Sequence, residues 1–353
     1  MNIIVTADKR FWPESLDENC CFLGEWCFSS SERKSNYKVL EYHWSRNDQF
    51  NRDYIDLNVI YNRKLLELTK GLNAIHDLDY SAVYWESLIG NWLSRFIQIF
   101  FDRYQTVLLT THIESGRVSF GVNNDLQIYS NYSEFIDNSY SDEYNNQLFK
   151  FLFKNLTKHE IVELNIDSIK ASNSRKKLRL HETILSVYNK VVPDCLNRNV
   201  FIQSYLPLKE LLSIQVQLGQ LPFFYVDNNL NLKPNTSNAL RDEIKFEFSK
   251  DSFENLLNKV LIYQIPYNFI ENYQTVNKIA LNKFPKKPNL IISAVALDQC
   301  EFFPFWFALN KEIGTKSIGI QHGGNYGSAK VQSFEDFEIH INDFYLTWGW
   351  SMK

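Results

Sequence analysis

The stretch Ile318-Gly319-Ile320-Gln321-His322-Gly323-Gly324-Asn325-Tyr326-Gly327 runs an apolar strand pattern straight into a histidine and three nearby glycines. At the carboxyl end of a parallel strand, such a change builds a binding site. Glycines let backbone approach a ligand closely and take positive φ, and a histidine can donate, accept or relay a proton near neutral pH. Upstream, Pro288-Asn289-Leu290-Ile291-Ile292-Ser293 reads as another strand, Gln299 to Glu312 has helical spacing, and Gly314 stands where a helix C-cap is expected. Strand, helix and strand make a βαβ unit, so the fold class is α/β: a Rossmann-like parallel sheet flanked by helices.

Further strands are expected at Asn2 to Thr6, Cys21 to Leu23 and Lys38 to Tyr42. Each ends in polar or aromatic groups, so together they would line one edge of a sheet as a crevice. Apolar spacing predicts helices over Asp53 to Asn73, with Gly71 near the end, and through Trp85, Leu88, Ile89, Trp92, Leu93, Phe96, Ile97, Phe100 and Phe101. Tyr104 to Phe120 reads as a helix followed by loop, and Tyr129 to Asn155 as turns around a helical stretch. The layout expected is residues 1–155 as the first part of the Rossmann-like domain and 156–260 as a helical insertion, with helices near Leu178 to Lys190 and Asp251 to Tyr263. Residues 261–353 would complete that domain, ending in a strand from Phe344 to Trp348 and the start of a linker.

A chain of 353 residues with a formal net charge of -4 has no global nucleic-acid signature. Its five cysteines form no C-x-x-C pair, which fits a reducing cytoplasm. Met1 to Arg10 enters a strand pattern directly and is read as a mature start. The apolar segment Tyr80 to Tyr104 is interrupted by Glu86, Arg95, Asp102 and Arg103, so no membrane span is expected. Arg175, Lys176, Lys177 and Arg179 form a basic cluster suited to a solvated helix face or to contact with the surface of the inner membrane.

Several segments together resemble one family, the surface-carbohydrate transferases encoded in bacterial O-antigen and capsule loci. They are Thr6-Ala7-Asp8-Lys9-Arg10-Phe11-Trp12, Leu23-Gly24-Glu25-Trp26-Cys27, Tyr42-His43-Trp44, Tyr84-Trp85 with Trp92, Phe96-Ile97-Gln98 with Asp102-Arg103, Gln321-His322-Gly323-Gly324 with Tyr326-Gly327, and Tyr345-Leu346-Thr347-Trp348-Gly349-Trp350. The resemblance implies a metal-independent glycosyltransferase of the two-Rossmann-domain type, GT-B, with no cofactor. It would move a nucleotide-activated sugar, a CMP-linked acidic one such as Kdo or a nonulosonic acid like pseudaminic acid, onto a glycan hydroxyl. Such proteins continue past the Trp-Gly-Trp element, so the chain is expected to be the amino-terminal half of a GT-B fold whose partner is a carboxyl-terminal nucleotide-binding domain. The alternative is a non-catalytic carbohydrate-binding or assembly module that works with a separate donor-binding domain.

Within this frame His322 is the candidate general base, or a donor to a phosphate or carboxylate, against a histidine that merely caps a strand. Gly323 and Gly324 would offer backbone amides to an anion, and Gln321 and Tyr326 would position hydroxyls. Glu25, beside Trp26, is the candidate acidic partner, and Asp8 is a rival base. Lys9 and Arg10 would offer positive charge to an acidic sugar. Thr6, Trp26, His43 and Trp44 are the remaining substrate-binding candidates, Trp44 stacking on a sugar face and His43 bonding its hydroxyls, against a Trp44 that is simply buried. Asp102 and Arg103 read as a helix-end ion pair, Asp77-Leu78-Asp79 as a loop with only a weak metal-motif likeness, and Cys20-Cys21 as core. No Gly-x-Ser-x-Gly elbow supports a hydrolase.

Overall fold

The structure, a computed structural model, describes every residue except 17–18, 29–36, 123–125, 167–179, 227–231, 233–236 and 352–353. The basic cluster at 175–179 therefore lies outside the described residues. In chain order the elements of the first half are β1 (Asn2–Ile4), β2 (Cys20–Phe22), β3 (Lys38–Val39), α1 (Asn47–His76), α2 (Ala82–Leu108), β4 (Arg117–Gly121), α3 (Tyr132–Ser139), α4 (Asp142–Leu156) and β5 (Glu160–Leu164). There follow α5 (Leu180–Val191), β6 (Asn199–Ile202), α6 (Leu208–Gln217), α7 (Asn238–Arg241), α8 (Ser252–Gln264), α9 (Tyr273–Lys283), β7 (Leu290–Ser293), α10 (Ala296–Gln299), α11 (Phe303–Glu312), β8 (Lys316–Ile320), α12 (Ser333–Ile341) and β9 (Phe344–Leu346).

The class is α/β, with parallel sheets flanked by helices, but the strands form two sheets where one was expected. The first has the order β3-β2-β1-β4-β5 and the second β6-β7-β8-β9. Every pairing is parallel; Ile3 lies beside Cys21 on one side and Val118 on the other, and Ile292 beside Phe201 and Ile318. The physical reason for two sheets is that β4 and β5 complete the first one. β4 takes the free edge of β1, so the later strands have no place beside β1 and pair among themselves. Strand order reverses between β1 and β4, which makes the carboxyl ends there a topological switch point.

β4 was expected as helix and loop. Its Arg117-Val118-Ser119-Phe120-Gly121 offers only two large apolar side chains, yet Val118 and Phe120 are fully buried. The stretch 156–260, expected to be helical, contributes β5 to the first sheet and β6 to the second. Helix α1 runs past Gly71 to His76, because the missing side chain admits Ile244, whose Cγ2 would lie 2.8 Å from a Cβ there. Gly314 does follow α11 with φ of 88°, as a C-cap glycine should.

Helix α2 organises the interior. Ser81 caps it by accepting from the Tyr84 amide, and Trp85, Ile89, Trp92, Phe96 and Phe100 are wholly buried. It packs against α1 and α4 and also against α11 and α12, so one apolar core serves both sheets. Truncating Trp92 to alanine would cost on the order of 3–5 kcal/mol. Among the described residues no helix is long and apolar enough to cross a membrane.

Candidate active site

β8 delivers Gln321 and His322 to its carboxyl end. Gln321 is buried and committed within the chain: its carbonyl oxygen accepts from the Trp348 amide and the Trp350 indole, both at 2.8 Å, and its amide donates to the Gly323 carbonyl at 2.9 Å. It ties the loop after β8 to the loop after β9 instead of reaching toward a hydroxyl. His322 Nε2 lies 2.9 Å from Glu338 Oε1 and 2.8 Å from the Tyr326 hydroxyl. Tyr326 and Tyr345 each donate to Glu338 Oε2 at 3.0 Å.

Glu338 sits on α12 and is buried, so these donors satisfy a carboxylate that would otherwise be costly to desolvate. Burial, and then the Glu338 charge, push both tyrosine hydroxyls above their ordinary pKa and keep them as donors. A carboxylate only accepts, so the neutral His322 ring carries its proton on Nε2 and leaves Nδ1 as its acceptor. Tyr205 stacks on the ring at 6.3 Å, from a segment after β6 where Gln203 and Tyr205 take φ of 45° and 57°. Left-handed backbone at such residues costs about 1 kcal/mol each and tends to gather at functional sites.

The glycines divide by function. Positive φ was expected across this loop, but it occurs only at Gly327, φ 72°. Gly323 is needed for room, since a Cβ would lie 2.9 Å from the Tyr326 ring. Gly324 faces open space, with nothing within 4 Å of a Cβ.

Asp298, Arg95 and Phe334 also join this cluster, none of them anticipated. Asp298 follows β7 on α10, and burial, reinforced by the Glu338 charge, raises its carboxyl to about 6 against the opposing pull of Tyr132, Arg95 and His322. Arg95 projects from α2 over the Phe334 ring at 5.7 Å, and Phe334 also meets His322 edge-on at 5.9 Å. The sequence signal was available: Asn91, Arg95, Gln98 and Asp102 recur at helical spacing down one side of an otherwise aromatic helix. Among the described residues Asn91 Nδ2 is buried with no partner.

The ends of the first sheet form a second cluster around Asp102. That residue is not a helix-end charge; it lies inside α2 and is buried. Its Oδ1 accepts from the Tyr42 hydroxyl at 2.7 Å and from His43 Nε2 at 2.8 Å, and its Oδ2 pairs with Arg103, which also donates to Asn145 at 2.8 Å. Burial pushes the His43 imidazole down to about 4, with Arg103 adding to the shift and Asp53 opposing it. Trp44 donates to Asp53 at 2.8 Å. Trp26 is exposed above this cluster and meets Tyr42 edge-on at 6.4 Å; a Cβ on Gly24 would fall 1.9 Å from the indole.

The remaining candidates are scattered or already engaged. Thr6 donates to Asp142 at 3.0 Å, at the amino terminus of α4. Asp8 caps a short 3-10 turn and is gripped by Arg10 at 2.5 Å, which holds its carboxyl below the ordinary range. That pairing disfavours Asp8 as a base and occupies Arg10. Lys9 lies 5.8 Å from the Trp12 ring, and Glu25 is exposed on its own one-turn helix. Neither Glu25 nor Asp8 meets His322. Asp77 ends α1 in the left-handed conformation, and among the described residues no group of three or more His, Cys, Asp or Glu is placed to hold a metal.

The two histidine clusters share α2. Arg95 and Asp102 stand seven positions apart, about 10 Å along the axis and on nearly the same side. Helix α1 joins them as well, since Asp53 takes Trp44 while the adjacent Tyr54 donates to Asp336 on α12. The profile of the LIC12162 family transferases matches residues 1–353. The chain belongs to that family. No curated protein and no solved structure matches it. A transferase must bring two substrates to one place, and two histidine-bearing walls along α2 are an arrangement that can do so.

Proposed function

We propose that this transferase is a glycosyltransferase of the GT-B type, with its reaction centre at His322. The donor is a nucleotide-activated sugar, a CMP-linked nonulosonic acid or Kdo, and the product a bacterial surface polysaccharide made at the cytoplasmic side of the inner membrane. The observation that carries this reading is the His322–Glu338 pair at the end of β8. His322 Nδ1 takes the proton of the acceptor hydroxyl, and buried Glu338 stabilises the imidazolium that results. The hydroxyl oxygen bonds to the anomeric carbon, and the bond from that carbon to the phosphate breaks with its electron pair leaving on CMP. The amides of Gly323 and Gly324 receive the phosphate.

The nucleotide-binding unit expected from the resemblance would pack on β9. Phe344 and Leu346 on that edge strand, and Trp348 just after it, are exposed, whereas parallel sheets are ordinarily covered on both faces. The test of function is CMP release from CMP-Kdo or a CMP-nonulosonate with a glycan acceptor, in the wild type and in His322→Ala. Equal turnover in the two removes His322 from the chemistry.

A further inference from the structure

The cluster at the end of β3 carries a reading of its own, which rests on the proposed transfer for its biological sense. We infer that Trp26, Tyr42 and His43 form a subsite for a neutral pyranose of the acceptor, with Asp102 as the positioning residue that fixes the His43 tautomer. The acceptor would then run from the reaction centre at His322 along the polar side of α2, over the roughly 10 Å that separates Arg95 from Asp102.

Three observations converge. First, Asp102 Oδ1 accepts from His43 Nε2 at 2.8 Å, so the ring proton is on Nε2 and Nδ1 is left as the ring's acceptor. Tyr42 at 2.7 Å and the Arg103 pair hold Asp102 in place, so the imidazole is oriented before any ligand arrives. Second, Tyr42, whose ring lies 4.8 Å from that imidazole, and Trp26, which meets Tyr42 edge-on, are large aromatics left 39% and 41% exposed. An indole face and a tyrosine edge offer an apolar surface of the kind a pyranose ring covers, with polar groups at its margin.

Third, the local charge selects against acids. Among the described residues the charged side chains facing His43 are Asp102, Asp53 and Arg103, and Arg103 is already spent on Asp102 and Asn145. Among those residues one carboxylate is left in excess. The low pKa of His43 keeps it uncharged at neutral pH, so it supplies no cation. A uronic or nonulosonic acid would meet net negative charge there, whereas a neutral sugar meets an acceptor nitrogen and an aromatic ledge.

The test uses the whole chain and two matched pairs of probes: methyl β-galactopyranoside with its uronate, and methyl β-glucopyranoside with its uronate. Imidazole 15N spectra should show His43 as the Nε2–H tautomer in the free protein. At least one neutral glycoside should move the His43 resonances, and its uronate should bind at least about tenfold more weakly. Trp26→Ala should weaken the neutral probe by about tenfold and leave the tautomer as it was. Asp102→Asn should reverse the tautomer if it folds; the wild-type spectrum and the Trp26 variant decide the matter if it does not. An Nδ1–H tautomer, a uronate bound as tightly as its neutral partner, or no response of His43 to either neutral probe would each overturn the inference. None of these readouts needs a donor or turnover, so failure to release CMP would sink the transfer and leave this subsite standing.

Discussion

The ends of the two sheets repeat one chemical layout with different surroundings. In each, a histidine Nε2 is held by a buried carboxylate that also takes a tyrosine hydroxyl: His322 with Glu338 and Tyr326, His43 with Asp102 and Tyr42. Around His322 lie glycine backbone, strained strand ends and a carboxyl with a raised pKa. Around His43 lie exposed aromatic rings and, among the described residues, a carboxylate in excess. The same holding device thus serves the proposed base in one place and, in the other, an imidazole that burial pushes down to about 4. Fixing a tautomer says nothing about chemistry until the neighbours are counted.

The two histidines should respond most differently to truncation. His322→Ala should lower CMP release by about 10²–10⁴-fold with little change in acceptor KM, because it removes a proton acceptor acting in the transition state. His43→Ala should act mainly through acceptor KM, raising it by about tenfold, since it removes a ground-state hydrogen bond. Comparable losses of kcat in both variants would mean that the two clusters share the chemical step.

Asp298 supplies a test on stability. Its folded-state pKa of about 6, against an ordinary 3.8, means the folded chain holds this proton more tightly than the unfolded one. The contribution is complete below about pH 4 and is lost as pH rises through 6, up to roughly 3 kcal/mol in all. Urea denaturation between pH 4 and 7 should show this fall in the wild type and lose it in Asp298→Asn. An identical pH slope in both would place the titration elsewhere.

The smallest effects separate the glycines. Gly323→Ala should cost about 1–3 kcal/mol and displace Tyr326, because its Cβ would lie 2.9 Å from that ring. Gly324→Ala should stay within about 0.5 kcal/mol, as its Cβ meets open space. Thermal unfolding of the two variants measures the difference, and equal shifts would contradict the division of roles.

Much of this was legible in the sequence, for reasons that also explain what was missed. The βαβ unit from Leu290 to Ile320 announced itself because a parallel strand buried on both faces must be a continuous apolar run, and α2 because its aromatic stripe keeps helical spacing. β4 did not, since a strand of five residues with two large apolar side chains has no period to read. Without β4 the first sheet looked open and the second was folded into it. The site was half legible for a similar reason. His322 and His43 lie in motifs at strand ends, whereas Glu338, Asp298, Arg95 and Asp102 reach the clusters from helices, through contacts that sequence distance hides. Gln321 and Asp8 looked available in the sequence and prove committed to Trp350 and Arg10.

In the proposed transfer the loop after β8 holds the donor phosphate beside His322. A crystal structure of the protein soaked with CMP tests it most directly. The phosphate is predicted to lie within hydrogen-bond distance of the Gly323 or Gly324 amide and adjacent to His322. CMP bound with no contact to Gln321 through Gly327 would contradict the claim.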